Sequence, residues 1–440
     1  MNKSMDKTMF GEEARTRSLH ELGYATIKEL ESELGILASG RDELYGCVFG
    51  RDSLITSMEL LKAYERSKDP YLPALVKKVL ANLISLQGRE TNIESGEEPG
   101  KCIHEYRPSN HEHLTKALVR PWYVYPDGAM RNYDSVDATP LLLIALHEYF
   151  SITKDGDFMN GALPAAKAGL EWLLTAGDSN GDSFIDYRLD PARVHGGLVA
   201  QSWMDSAESV FREDGAPVAF PIAPVEVQAY AYAALRRWAE FFGTTDPGLA
   251  RRLVIRADLL KEKFNRAFVV EEDGRGLSVA FAIDGNGVPL TAVRSTMGHI
   301  LWAGWRDREG ILDGIMDGAF VPKVAARLME EDLFVPDAGV RTLSARSAHF
   351  DHKSYHNGSI WPHDTAMILG GLEKFGYASE AASMRRALTK AYAHFGTPLE
   401  LFIFADGSYG EYCSATGQHA CQKQAWSAAA LLADTDMGVE

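Results

Sequence analysis

Hydrophobic positions along the chain fall into two alternating helical patterns. Some segments are apolar nearly all round: "SLITSMELLKAY", "ATPLLLIALHEYF", "VEVQAYAYAAL", "TMGHILWAGW", "IWPHDTAMILGGL" and "QKQAWSAAALLA". A helix without a polar face belongs in an interior. Others carry a single apolar stripe. In "DPGLARRLVIRADLLKEKFNRAF", Leu249, Leu253, Ala257, Leu260, Phe264 and Phe268 share one face, while Arg251, Arg252, Lys261 and Glu262 lie opposite. "EEARTRSLHELGYATIKELESELG", "YLPALVKKVLANLISLQ", "ALPAAKAGLEWLLTAG", "DGAFVPKVAARLMEE" and "ASEAASMRRALTKAYAHF" follow the same design.

In chain order the patterns alternate, outer then inner, six times, with inner helices predicted to begin near residues 53, 138, 225, 295, 360 and 422. Six inner helices ringed by six outer ones predict an all-α fold, an (α/α)6 barrel. No linker divides the chain, so a single domain over residues 1–440 is expected. Strands should be few and confined to hairpins such as "LELFIFADGSYGEYC", turning at Asp406-Gly407. "FGRDS", "KCIHEYRP", "YDSVDATP", "QSWMDS", "PIAPVEVQ", "YHNGSIWPHD" and "GEYCSATG" all lie before inner helices or at their starts. Closing the ring would gather these loops at one end, and loops on a rigid scaffold are where chemistry usually resides.

Charge and composition remove several classes of partner. A formal net charge of -16 argues against nucleic acid, whose phosphates need clustered Lys and Arg. The longest apolar runs are too short to cross a bilayer, and "MNKSMDKTMFGEEARTRS" has no apolar core of the signal-peptide kind. Cys47, Cys102, Cys413 and Cys421 show no C-x-x-C spacing, which fits reduced thiols in a cytoplasmic protein. No phosphate-binding glycine motif is present, so no nucleotide cofactor is expected. Metal signals are thin. His111 and His113 read as a solvated loop. "GDSNGDSFIDY" starts like a calcium loop at Asp178, Asn180 and Asp182 but has Ser183 at the sixth place and Leu189 at the twelfth. It reads better as a turn leading into a short strand, and no metal site is expected.

The motif loops are rich in carboxylates, indoles, amides and histidines. Such a set suits a carbohydrate substrate, which offers apolar C–H faces and a rim of hydroxyls. Cleaving a glycosidic bond needs one carboxylic acid to protonate the leaving oxygen and one carboxylate to activate water or attack carbon. Asp205 fits the first role: beside Trp203, partial desolvation would keep it protonated near neutrality. As an alternative it would cap the helical turn that follows.

"GRDS", "SVDATPL", "QSWMDSAESVF", "PIAPVEVQAYAYAA", "YHNGSIWPHD" and "ACQKQAWSAAALL" occur in that order between Gly50 and Leu432. Together they resemble the bacterial amylo-α-1,6-glucosidase or glycogen-debranching type, within the wider (α/α)6 glycosidases that include glucoamylases, processing α-glucosidases and neutral invertases. The resemblance implies an exo-acting, inverting α-glucosidase that needs no cofactor. It places the general acid on Asp205 and sugar-binding roles on Arg51 and Asp52, which could otherwise form a surface ion pair. His104, Glu105 and Arg107, then His356, Asn357, Trp361, His363 and Asp364, are further candidates, with Asp364 alternatively a helix-start acid. Tyr133 and Asp137 are candidates too, Asp137 with the alternative of a helix cap. Glu226 and Gln228 could contact ligand or form a satisfied buried pair, and Trp203 and Trp426 add indoles.

Two glutamates compete for the general base. The debranching pattern, a P-E-L-F-like run before Q-A-W, points to Glu400 in "PLELF". The glucoamylase-like pattern points to Glu411 in "GEYCSATG". Glu411 is favoured, on the expectation that the hairpin's second strand leads over the barrel mouth, with Glu400 turned towards the wall. The extra N-terminal β-domain often joined to these barrels is not seen in the sequence, so a short substrate is expected ahead of branched glycogen. A mannosylglycerate-hydrolase-like or neutral-invertase-like specificity is the alternative, and a non-catalytic sugar-binding toroid is the remaining one.

Overall fold

A computed structural model of the chain describes residues 18–434, apart from 273 and 275. The first part of the predicted N-terminal helix and the segment inspected for a signal peptide lie largely outside the described residues. Among those described, twelve helices carry the architecture, and they alternate as the sequence predicts. The inner ones are α2 (Gly50–Ser67), α4 (Ala138–Thr153), α6 (Val225–Phe242), α8 (Met297–Trp302), α10 (Pro362–Lys374) and α12 (Ala425–Asp434). The outer ones are α1 (residues 18–30), α3 (Tyr71–Ser85), α5 (Gly156–Leu174), α7 (Pro247–Ala267), α9 (Val321–Leu328) and α11 (Ala378–Phe395).

Local sequence explains each class. In α4 every residue from Ala138 to Leu146 is buried, and Pro140 sits in the first turn, where its missing N–H costs nothing. In α7, Asp246 caps the start by accepting from the Leu249 amide at 3.2 Å, and Pro247 occupies the first turn. Its buried stripe is Ala250, Leu253, Ala257, Leu260 and Phe264, close to the face read from the sequence. The exception is α8, six residues long where the pattern predicts a longer helix. It stops ahead of Gly304, and the chain turns at once into a strand at Trp305–Arg306.

Each inner helix packs against the next in chain order, and α12 packs back against α2. Outer helices cover them from outside, as α7 covers α6 and α11 covers α10. The motif-bearing N-terminal ends of the inner helices meet at one end of the molecule. Their C-terminal halves meet at the other, around a hollow of about 610 Å³ lined by Glu59, Lys62, His147, Arg237, Trp302 and Lys374. That second hollow collects none of the candidate residues.

Strands are short. Val48–Phe49, Glu105–Arg107 and Met130–Asn132 form one antiparallel sheet; Ala223–Pro224, Ala282–Ile283 and Pro289–Leu290 form another. Phe402–Ala405 and Ser408–Glu411 pair across a two-residue turn at Asp406 (φ 50°) and Gly407 (φ 72°), the predicted hairpin. "SFIDY" forms no strand; Tyr187 makes only an isolated bridge to Ile222.

Gly50 shows how tightly the site end is built. A Cβ there would lie 2.0 Å from the Ile103 carbonyl oxygen and 3.4 Å from the Ala138 Cβ. Gly50→Ala should therefore cost about 1–3 kcal/mol of stability, the usual scale of overpacking, measured by denaturant unfolding. Native stability in that variant would contradict the close approach of Gly50 to the Ile103 carbonyl.

Candidate active site

One pocket at the motif end is lined by Tyr45, Phe49, Arg51, Asp52, Trp203, Asp205, Tyr355, His356, Trp361, Glu400, Gln424 and Trp426. Its charged centre is Arg51, at the start of α2. The guanidinium Nε pairs with Asp137 Oδ2 at 2.6 Å and Nη1 with Asp205 Oδ2 at 3.0 Å, while Nη2 donates to the Ser202 carbonyl at 2.8 Å. Arg51 and Asp52 are both buried, so neither belongs to a surface ion pair. Asp205 is 25% exposed through the pocket. Burial pushes its carboxyl up to about 6, against the opposing pull of Arg51. It caps no helix: the short turn Ala207–Ser209 follows Ser206 and has no side-chain cap.

Asp52 accepts from Gln424 Nε2 at 3.1 Å and is pushed by burial up to about 7. Glu400, 1% exposed, accepts from the Tyr355 hydroxyl and from the Cys421 amide at 2.9 Å. Burial raises it to about 7, while those hydrogen bonds pull the other way.

Aromatic rings form the walls. Trp203 meets Trp361 edge to face at 5.7 Å and His356 at 5.5 Å; His356 stacks on Trp361 at 5.1 Å, and His363 lies flat on Trp426 at 3.6 Å. Burial and nearby cations hold His356 and His363 well below the usual histidine range, so both are neutral. The buried indole nitrogens of Trp203 and Trp426, and both ring nitrogens of His363, lack hydrogen-bond partners. Orphaned donors of this kind are uncommon in a core and usual in a binding pocket.

The structure corrects the expected placement of Glu411. It ends the hairpin as an exposed residue and lines a separate surface hollow with Leu44 and His419. The hairpin leans outward: Tyr409 stacks on His394 at 4.5 Å and contacts Phe395 at 5.7 Å, both on α11. Glu400 is the one that faces the pocket.

Other candidates sit behind it. Asp137 supports Arg51 rather than capping α4. Asp364 Oδ1 is hydrogen-bonded to His299 Nε2 at 2.7 Å, and Tyr230 contacts the other ring nitrogen at 2.6 Å. Asn357 links Arg294 (2.7 Å) to the Glu208 carbonyl (3.0 Å). Gln228 clamps the backbone of Ile185 at 2.9 and 2.7 Å, which makes it structural. Glu226, pushed up by burial to about 7, lines a neighbouring crevice with Ser202 and Arg294. His104 packs edge-on to Phe49 at 5.4 Å, Glu105 pairs with Arg107, and the Tyr133 hydroxyl donates to the Leu86 carbonyl at 2.9 Å. None of these last four lines the pocket.

Sequence reasoning missed Tyr45, Phe49, Tyr355 and Gln424. Tyr355 and Gln424 lay inside quoted motifs, adjoining His356 and near Trp426. Phe49 opens "FGRDS", and Tyr45 carries no signal of its own.

Comparison with known proteins now adds to this geometry. Residues 213–399 match the model of the mannosylglycerate hydrolase MGH1-like glycoside hydrolase domain. The chain is an O-glycosyl hydrolase. Among solved structures, the GH63 mannosylglycerate hydrolase from Thermus thermophilus in complex with glucose is similar in fold, with TM-score 0.64 and 15% identity over 94% of this chain and 99% of that one. A wild-type glycosidase gives TM-score 0.58 and 14% identity over 97% and 98%. A search of curated proteins gives no match. These likenesses support the group of helical glycosidases named from the motifs, without singling out the debranching type.

Two raised carboxyls in one pocket predict a narrow pH optimum. A catalytic base works only when deprotonated, so activity falls as pH drops below its pKa; an acid works only when protonated, so activity falls as pH rises above its own. With Asp205 at about 6 and Glu400 at about 7, kcat/KM should be bell-shaped, with limbs near those values and a maximum between them; with Asp205 as acid and Glu400 as base, the productive form is the minor one of the two singly protonated states. A flat profile from pH 5 to 9 would exclude this pair from the reaction.

Proposed function

We propose that the chain is an inverting, exo-acting glycosidase that releases one sugar unit from a short α-glycoside. The observation that carries this is the shared pocket of half-buried Asp205 and buried Glu400, two carboxyls with raised pKa among stacked aromatic rings. Asp205 is the general acid and protonates the leaving oxygen. Glu400 is the general base; oriented by Tyr355 and the Cys421 amide, it draws a proton from the attacking water. Arg51 holds Asp205 in place, Asp52 and the free indole N–H groups of Trp203 and Trp426 bind sugar hydroxyls, and the ring walls cover the C–H faces. The cyclic contacts of the inner helices support a single-domain (α/α)6 barrel with this pocket at one mouth.

The matched family model favours mannosylglycerate as substrate over an α-glucan. The motif resemblance favours an α-glucoside. Incubating purified protein with mannosylglycerate, glucosylglycerate and short α-linked glucosides, and following free monosaccharide, separates the two. Proton NMR should show the first-formed sugar as the inverted, β-anomer; a retained anomer would require a covalent intermediate instead.

Asp205→Asn and Glu400→Ala should each lower kcat by at least ~10²-fold with little change in fold, while Glu411→Gln stays within a few fold. Azide should restore part of the Glu400→Ala activity on an activated substrate of the opposite anomer. Full activity in Glu400→Ala, or strong loss in Glu411→Gln, would reverse the assignment of the base.

A further inference from the structure

The loop that leaves α5 carries acidic groups that glycoside cleavage does not use. Asp178, Asn180 and Asp182 alternate, and Asp186 follows at the ninth place of the same run. Asp178, Asp182 and Asp186 each offer an oxygen, and these three atoms lie within 4.8 Å of one another. Oxygens that ligate one ion at about 2.3–2.6 Å can be no more than about 5 Å apart, so the three are close enough to share one.

Two buried carboxylate oxygens of that cluster have no hydrogen-bond partner: Asp186 Oδ2 and Asp178 Oδ1. Asp186 is 4% exposed, so solvent does not satisfy it. Leaving a buried acceptor unmet costs roughly 1–3 kcal/mol, and more for a charged one. In both residues the other oxygen is engaged. The Ser183 amide donates to Asp178 Oδ2 at 2.9 Å and Arg256 Nη2 to the same oxygen at 3.2 Å; the Ser179 amide donates to Asp186 Oδ1 at 3.3 Å. Each carboxylate is thus oriented through one oxygen and open at the other.

The backbone makes the turn a calcium loop needs. Ser183, at the sixth place, has φ +78°, the left-handed conformation for which such loops use glycine. The departure at the sixth place is therefore one of residue type and not of shape. The missing acid at the twelfth place is matched by the buried Asp186 at the ninth.

We propose that residues 178–186 bind a calcium ion through Asp178, Asp182 and Asp186, with the Asn180 side-chain oxygen, which also accepts from the Asp182 amide at 3.0 Å, able to join an all-oxygen set. Hard oxygen donors exclude the metals that prefer imidazole or thiolate, and calcium accepts an irregular set of six to eight ligands where magnesium demands a near-ideal octahedron. Arg256, and Lys263, which donates to the Asp182 carbonyl and contacts Ser183 Oγ at 3.1 Å, offset part of the negative charge. The site reaches the catalytic framework by a short route. Ile185, inside the loop, is clamped on both backbone groups by Gln228 of α6, two residues beyond Glu226. The ion would fix this corner, a stabilising role separate from the chemistry.

Isothermal titration of EDTA-treated full-length protein with calcium chloride tests this, with thermal unfolding alongside. Expected are one ion per chain, a rise in Tm on calcium addition, and at least ten-fold weaker binding in Asp186→Asn. Should Asp186→Asn not fold, the exposed-ligand variant Asn180→Ala should fold and still weaken binding several-fold. The absence of both heat and a Tm shift at about 10 mM calcium, above the weakest range of natural calcium loops, would overturn the proposal. So would binding undiminished in the variants, or magnesium bound as tightly as calcium.

Discussion

One buried guanidinium organises the site. Arg51 joins the start of α2 to Asp137 at the start of α4 and to the Ser202–Asp205 loop, using three of its nitrogens on three separate partners. A charge so enclosed is tolerable only when paired, and removing one partner of such a pair typically costs about 3–5 kcal/mol. Arg51 faces Asp137 and Asp205 together, with Asp52 beside them. Burial, with a smaller push from Asp137, raises Asp205 to about 6 against the pull of Arg51. The guanidinium that positions this carboxyl thus restrains the rise that burial causes.

The rest of the pocket follows a related logic. Indole N–H groups of Trp203 and Trp426 lie buried without partners, a cost that a bound ligand bearing hydroxyls would offset. Neutral His356 and His363 pack as flat aromatic surfaces and add no positive charge beside Arg51. Negative and neutral groups outnumber cations here, in keeping with an uncharged sugar ring.

Helix order was legible because burial on all sides and burial on one side leave different periodicities; the observed inner helices begin at Gly50, Ala138, Val225, Met297, Pro362 and Ala425, near the predicted starts. Trp203, Asp205, Arg51 and Trp361 were legible because a charge or indole in an apolar passage needs a reason. Side-chain direction was not. Gln228 and Tyr133 look chemical in sequence, yet each spends its polar atoms on a neighbouring backbone. The direction of Glu411 was hidden because a hairpin's tilt depends on what it packs against, and Tyr409 finds His394 and Phe395 on an outer helix. The calcium-like loop departs from the pattern in its residue types, whereas its backbone angle and unmet oxygens are visible only in three dimensions.

The most direct test of this account is the activity of Arg51→Lys on whichever glycoside the wild type hydrolyses. Lysine keeps the positive charge but cannot reach Asp137, Asp205 and the Ser202 carbonyl with one rigid fork. The account predicts a folded protein, by circular dichroism, whose kcat is at least ~10²-fold lower, the scale of losing a positioned general acid. A folded Arg51→Lys variant with wild-type kcat would contradict it, because Asp205 would then need no such anchor.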